Sequence, residues 1–327
     1  MELVEFGPED AAHVDAFVRL RRAIDAVDCP WEQAWTRSRQ TAYMRHSWEG
    51  EPGRWFVAYD GAEPVATASI DASDYDNLEM AWLSVRVAPD RRRRGHGRAV
   101  LERVEAIADA VGRPLLGING WDTPATRGFA TAAGYDRKSA EIRRRQVVAE
   151  APDPRVVRDE ALEHARDYEV LRVEGYAPAD LLPGLVELTA AINDAPFDDL
   201  EWEHEVYSVE RVHAYERAQI ESGYRFRRIV ARHLPTGELA GHTVVVVDSE
   251  RPSLAEQHDT SVVAAHRGHR LGLLLKAEML LWLAADEPQV EHVFTNNAES
   301  NRHMIAVNER LGYQVMGRDL EFQRRLR

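Results

Sequence analysis

Leu83, Val85 and Val87 alternate with polar residues until Pro89 interrupts the pattern. This period-two spacing predicts a strand. A basic, glycine-bearing turn follows, and the apolar spacing then becomes that of an amphipathic helix through Val104. Upstream, Trp55–Gly61 and Val65–Ile70 read as a hairpin. Downstream come a strand at 114–119, a helix near Thr123–Ala133 and a closing Gly134-Tyr135 pair. The same order recurs. Residues 228–232 and 238–247 form a second hairpin around Pro235-Thr-Gly237, and 260–263 leads into Ala265-His-Arg-Gly-His-Arg-Leu-Gly272. A helix at 273–285, a strand at 290–295 and a helix near 300–311 then close on Gly312-Tyr313.

The offset between copies is 175 residues at Arg92/Arg267 and 178 at Gly134/Gly312, so the chain carries one pattern twice. Each half is expected to be α+β, with helices packed on a mixed, mostly antiparallel sheet. The expected order is strand, two helices, three strands, helix, strand, helix, two strands. Ile142–Val148 can still be a strand, Ala151-Pro-Asp-Pro154 breaks regular structure, and 155–168 reads as a helix. The division is therefore placed at 1–154 and 155–327.

The turn between strand and helix carries the candidate chemistry. A helix start leaves backbone N–H groups unpaired at its positive end, which suits a phosphate. Gly95 and Gly97 would let the backbone approach such a ligand. No Gly-Lys-Ser/Thr follows, so this is no Walker loop, and the second glycine spacing excludes a dinucleotide fingerprint. Four successive arginines, Arg91 to Arg94, could mark a nucleic-acid patch, but a net charge of -14 argues against nucleic acid.

Composition adds boundaries. Hydrophobic residues make up 44% of 327 positions, in the range of a globular protein. Cys29 is the only cysteine, which excludes an internal disulfide and points to a reducing cytoplasm. The N-terminus lacks the pattern of a secretory signal, and the most apolar helix, 271–285, carries Lys276 and Glu278, so no membrane association is expected.

The spacing Arg92-x-x-Gly95-x-Gly97 resembles the pyrophosphate signature of the GNAT acetyltransferase superfamily. The resemblance covers nearly the whole chain as two tandem copies, strongest at 78–135 and 256–316. In the second copy Arg267 and Gly272 match, while Arg270 stands where the first glycine is expected. That copy also resembles a subgroup with a lysine like Lys276 and a run here reading Thr295, Asn296, Asn301, Met304, Asn308, Leu311, Gly312, Tyr313. A tandem of this size also resembles the architecture of the mycothiol synthases.

The resemblance implies acetyl-CoA as co-substrate and splayed fourth and fifth strands that hold its pantetheine arm. The implied cofactor residues are the main chains of Val85, Val87 and Val262, and the loops Arg92, Arg93, Arg94, Gly95, His96, Gly97, Arg98 and Arg267, Gly268, His269, Arg270, Leu271, Gly272, with Asn301. It implies acetyl transfer to a primary amine of a small molecule by direct attack, which needs a group to remove a proton. Glu79 is the candidate base in the first half and Asp259 or Glu256 in the second; Asp and Glu near these turns also serve simply as turn formers. Where many members carry a tyrosine acid, this chain has Ala130 and Asn308, and Asn308 could bond the sulfur or the acceptor, cap a helix or satisfy the core. His258, His266 and His269 do not assemble a metal set by spacing, and no metal is expected. The alternatives are a CoA-binding sensor or scaffold, or a protein N-acetyltransferase. The protein is expected to be a monomer or homodimer.

Overall fold

The computed structural model describes residues 1–326. The elements are, in order, β1 (Glu2–Phe6), α1 (Ala11–Asp28), α2 (Arg37–His46), β2 (Arg54–Asp60), β3 (Glu63–Asp71), β4 (Met80–Val87), α3 (His96–Ala110), β5 (Leu115–Trp121), α4 (Pro124–Ala132) and β6 (Asp136–Val147). Then come α5 (Pro154–Leu162), β7 (Tyr168–Glu174), α6 (Leu182–Ala190), α7 (Val209–Glu221), β8 (Tyr224–His233), β9 (Leu239–Asp248), β10 (Leu254–Val262), α8 (Leu271–Asp286), β11 (His292–Ala298), α9 (Arg302–Arg310) and β12 (Gln314–Arg325). The chain has the expected α+β tandem form, with mixed-sheet strands flanked by helices in each unit.

Two compact units are present. Unit 1 comprises Met1–Glu141, Phe197–His204 and Gly317–Arg327; unit 2 comprises Ile142–Pro196 and Glu205–Met316. In unit 1 the strand order is β1-β2-β3-β4-β5-β12. Its last position is filled from the far end of the chain: Asp319–Arg325 of β12 pairs antiparallel with Leu115–Trp121 of β5. Arg324 fixes that strand by donating to the carbonyl of Ala133 at 2.6 Å and to Glu105 at 2.8 Å. In unit 2 the order from β6 is β6-β11-β10-β9-β8-β7.

Two expectations are corrected. Each copy ends on one long strand, β6 or β12, rather than two, because α4 and α9 are each followed by a single uninterrupted strand of 12 residues. The helix read over 155–168 stops at Leu162; it starts under Asp153, whose side chain accepts from Arg155 N–H with Pro154 at the first turn, and Tyr168 already opens β7.

In unit 1 one face of the sheet packs on α3 and α4 through Val100, Leu101, Val104 and Ala130. The opposite face packs on α1 and α2 through Val14, Phe17, Ile24 and Met44. In unit 2 α8 buries Leu271, Leu274, Leu275 and Met279 against β8–β11. Among the described residues no helix is long and apolar enough to cross a membrane.

Candidate active site

In unit 1, β4 and β5 pair in parallel only from Met80/Leu115 to Leu83/Ile118. Beyond that point the strands part, while β4 stays bonded to β3 as far as Val87. The β5-facing main chain of Val85 and Val87 is thereby left without a strand partner. A cleft of about 460 Å³ opens there, lined by Val85, Val87, Arg92, Gly95, Gly97, Asn119, Trp121 and Phe129 among others. In unit 2, β10 and β11 pair only from Leu254/His292 to Gln257/Thr295. A bulge containing His258 and Asp259 marks the place where they part.

The helix starts at these openings differ from most others. Side-chain oxygens cap α1, α2, α4, α5, α7 and α9. Neither α3 nor α8 has a side-chain cap. Forgoing a cap costs about 1 kcal/mol and leaves first-turn N–H groups available to an anion. Gly95, at the mouth of α3, has φ +89°, and a Cβ there would face open space.

The two loops have matching backbones built from different residues. In the first, Arg93 and Gly95 have positive φ, 62° and 89°; in the second, Gly268 and Arg270 do, 87° and 56°. Glycine and arginine thus exchange places at the two left-handed positions, and Arg270 adopts the conformation Gly95 has. The leading arginine is anchored alike in both: Arg92 Nε donates to Val87 O and Arg267 Nε to Val262 O, each at 3.1 Å. Their guanidinium groups continue to Asp28, at 2.6 and 2.9 Å, and to Asp194. Arg92 and Arg267 therefore brace their loops.

The remaining candidates divide. Arg94 donates to the carbonyl of Asp90 and Arg98 to Glu102. His96 lies 3.9 Å from Asp60, and His269 is 3.3 Å from the carbonyl of His164. Gly97 sits under α4: a Cβ would meet Phe129 at 3.1 Å and Val87 at 3.3 Å, whereas nothing lies within 4 Å at Gly272. Leu271 is a core residue. Asn301 caps α9 through Met304 N–H. Glu79 precedes β4, at the paired end away from the cleft, and binds Arg325 at 2.7 Å. Glu256 forms a two-point ion pair with Arg143. Asp259 lies in the bulge near Tyr207, whose hydroxyl is pushed up by burial and by Glu205, with Asp259 adding to it.

Asn308 is fully buried. It accepts from Lys276 Nζ at 2.6 Å and donates to Asn297 at 3.2 Å. Burial pushes Lys276 down to about 7, and its Nζ lies 4.9 Å from the Tyr313 ring. Cys29 is buried beside Asp25, and burial pushes its thiol up to about 12, which removes it as a nucleophile at neutral pH.

A polar group in unit 1 escaped the sequence reading. The β12 face opposite Leu320 and Phe322 carries Asp319 and Glu321, beside Asn119 of β5. Asn119 donates to Asp319 and accepts from Trp82 Nε1 at 3.3 Å. Burial, reinforced by Glu141 and Asp319, pushes Glu321 up to about 8, and burial also raises Asp319. Arg86, on the cleft, is lowered to about 10 by Arg21 and by burial. Trp31 and Trp121 meet edge-on at 5.7 Å above Gly317, where a Cβ would come within 2.6 Å of Trp31 and 3.0 Å of Trp121. Trp31 Nε1 and Asp319 Oδ1 are buried without a hydrogen-bond partner. The only sequence signal was two acids alternating with core residues in a strand more than 200 residues from the loop.

Several known proteins resemble this chain. Residues 20–135 match the model of the acetyltransferase (GNAT) family. A mycothiol acetyltransferase of Thermobifida fusca (strain YX) is 33% identical over 142 residues, 41% of this chain and 39% of that protein. Another, from Geodermatophilus obscurus, is 31% identical over 150 residues, 46% of each chain. The chain thus spans less than half the length of these curated relatives. A solved tandem GNAT protein from the clavulanic acid biosynthesis pathway, without AcCoA, superposes with a TM-score of 0.81 at 25% identity, covering 99% of this chain and 98% of that one.

Proposed function

Because residues 20–135 belong to the acetyltransferase (GNAT) family and the chain as a whole is a tandem GNAT protein, we propose that unit 1 transfers an acetyl group from acetyl-CoA to a primary amine of a small molecule. One observation carries the reading: the cleft has an uncapped helix mouth at α3 and a polar rim of Arg86, Asn119 and Trp121. The donors needed for a diphosphate and a main chain open to an amide-bearing arm are both present. Acetyl-CoA supplies the activated acyl group as a thioester. The chain's residues bind and orient it and manage the acceptor's proton.

The polar group beside the cleft suits an amine. Trp31 and Trp121 offer aromatic faces, and Asp319 and Glu321 offer carboxylates, a combination that favours a cation. Only an unprotonated amine attacks, so a base must take its proton. Glu321, raised to about 8, is closest to the working range of a base at neutral pH. Glu79, paired with Arg325, remains a less favoured candidate. A thiol leaving group needs little protonation, so the absence of a tyrosine at Ala130 is tolerable.

The sequence repeat is read as two copies dividing near 154/155, and unit 2 carries the second, with the loop Arg267–Gly272 holding a CoA diphosphate and Asp259 as its candidate base. The name of the curated relatives, mycothiol acetyltransferase, supports acetyl transfer as the reaction class.

The test is thiol release from acetyl-CoA across a panel of amino sugars, polyamines and amino acids, with Gly97→Glu as the cofactor-site variant. Acceptor-dependent release, lost in Gly97→Glu together with calorimetric acetyl-CoA binding, is expected. Saturable binding with no release from any acceptor would instead identify a CoA-binding sensor.

A further inference from the structure

At the start of the unit 2 loop, three side chains converge that the acetyl-transfer reading does not use. His233 ends β8, Glu238 precedes β9, and His266 lies in the turn Ala264–His266 that leads to Arg267. One ligand atom from each lies within 4.8 Å of the others. His266 Nε2 is 3.9 Å from Glu238 Oε2, and the two imidazole centroids are 5.0 Å apart.

Both rings are held from behind. The Nδ1 of His266 is 3.0 Å from the Tyr168 hydroxyl, and the Nδ1 of His233 is 3.0 Å from Thr236 Oγ1. A partner on Nδ1 fixes ring orientation and leaves Nε2 for another role, the arrangement found behind metal-bound histidines. Tyr168 also packs against both rings, with centroids 5.1 and 5.7 Å away.

The repeat provides an internal comparison. At the same offset of 175 residues, Glu63 and Arg91 stand where Glu238 and His266 do. In unit 1 they form an ion pair that ties the first residue of β3 to the phosphate-type loop. Unit 2 keeps the carboxylate but replaces the permanently charged arginine with an imidazole, and adds a second imidazole. A cation drawn from solution would restore the missing tie.

We propose that His233, Glu238 and His266 form a binding site for a late first-row divalent cation, zinc foremost, with water completing the coordination. Two imidazoles and one carboxylate are a familiar zinc donor set, and imidazole favours such ions over magnesium or calcium. Zinc bonds of about 2.0–2.1 Å put tetrahedral ligand atoms about 3.4 Å apart. Closing the group needs movements of roughly an ångström, which the exposed Glu238 side chain can supply. The bound ion would pin the β8–β9 turn to the residue before Arg267. The inference does not depend on acetyl transfer.

The test is calorimetric titration of zinc chloride into the untagged, chelator-treated full chain, with cobalt(II) as a spectroscopic substitute. One zinc per chain is expected, together with the visible absorption of tetrahedral cobalt. Glu238→Gln and His266→Ala should each abolish that equivalent while leaving the circular dichroism spectrum unchanged. Tyr168→Phe, which removes only the support behind His266, should weaken binding about ten-fold. No binding by the parent chain, or one equivalent that persists in either Glu238→Gln or His266→Ala, would overturn the proposal.

Discussion

Replacing Glu321 with Gln tests the candidate acceptor pocket without reference to any substrate. The carboxyl rises from an ordinary 4.5 to about 8, mainly through burial and secondarily through Glu141 and Asp319. Between those values the folded chain holds a proton that the unfolded chain has released. Unfolding then releases a proton, so stability falls as pH rises through this window. At about 1.4 kcal/mol per pH unit the whole displacement corresponds to roughly 5 kcal/mol. Glu321 is only partly buried, and water access at such a site reduces the usable figure to about 1–2 kcal/mol. Glutamine keeps the shape and cannot ionise. Denaturation by urea at pH 5.5 and 8.5, followed by intrinsic tryptophan fluorescence, should show the parent losing about 1–2 kcal/mol more than Glu321→Gln across that interval. The same variant should lose amine acetylation most strongly where the parent carboxylate is ionised. An identical pH dependence of stability in the two proteins would refute the account of a partly buried, crowded carboxyl.

Four further substitutions address the loops and the buried lysine. Gly97→Ala must displace Phe129 or Val87 and should destabilise unit 1 and weaken acetyl-CoA binding, whereas Gly272→Ala has open space and should stabilise α8 by up to about 1 kcal/mol; parallel urea titrations check the opposite signs. Arg270→Gly relieves a left-handed φ that costs an L-residue roughly 1–2 kcal/mol. Part of that gain is lost to the freer unfolded chain, so a net stabilisation of about 0.5–1 kcal/mol is expected from unfolding curves. Lys276→Met removes an amine that burial holds at about 7 rather than 10.5. Because the unfolded lysine keeps its proton over that interval, the parent should gain stability as pH rises from 7 to 10.5, and the variant should lack that gain.

What the sequence made legible was local. The strand through Leu83, Val85 and Val87, the glycine-bearing turn and the amphipathic start of α3 all lie within some twenty residues, and periodicity reports each of them. The parting of the strands was available only through the family resemblance. The β12 contribution was invisible for a physical reason: Asp319 and Glu321 reach unit 1 through pairing with β5, and no local pattern encodes the partner of a strand. Asn308 illustrates the converse. The sequence left it between chemistry and a core role, and burial beside Lys276 gives it a hydrogen-bonding task inside unit 2. Glu79 was attractive because it precedes β4, but it precedes the paired end of that strand, and the open end is where Val85 and Val87 stand.

The two loops show what the repeat has kept. Residue identity is poorly matched: Arg93 faces Gly268 and Gly95 faces Arg270. Backbone geometry is well matched, with two left-handed residues at the same places and an arginine donating to the last strand carbonyl at the same distance. A glycine at each left-handed position would be cheapest, so each loop tolerates one strained arginine where a motif search expects glycine. Those arginines carry charge into the loop, Arg93 midway along it and Arg270 at the helix mouth itself. The conserved property is thus the set of uncapped N–H groups that the backbone presents, and side-chain charge is added at a different point in each copy.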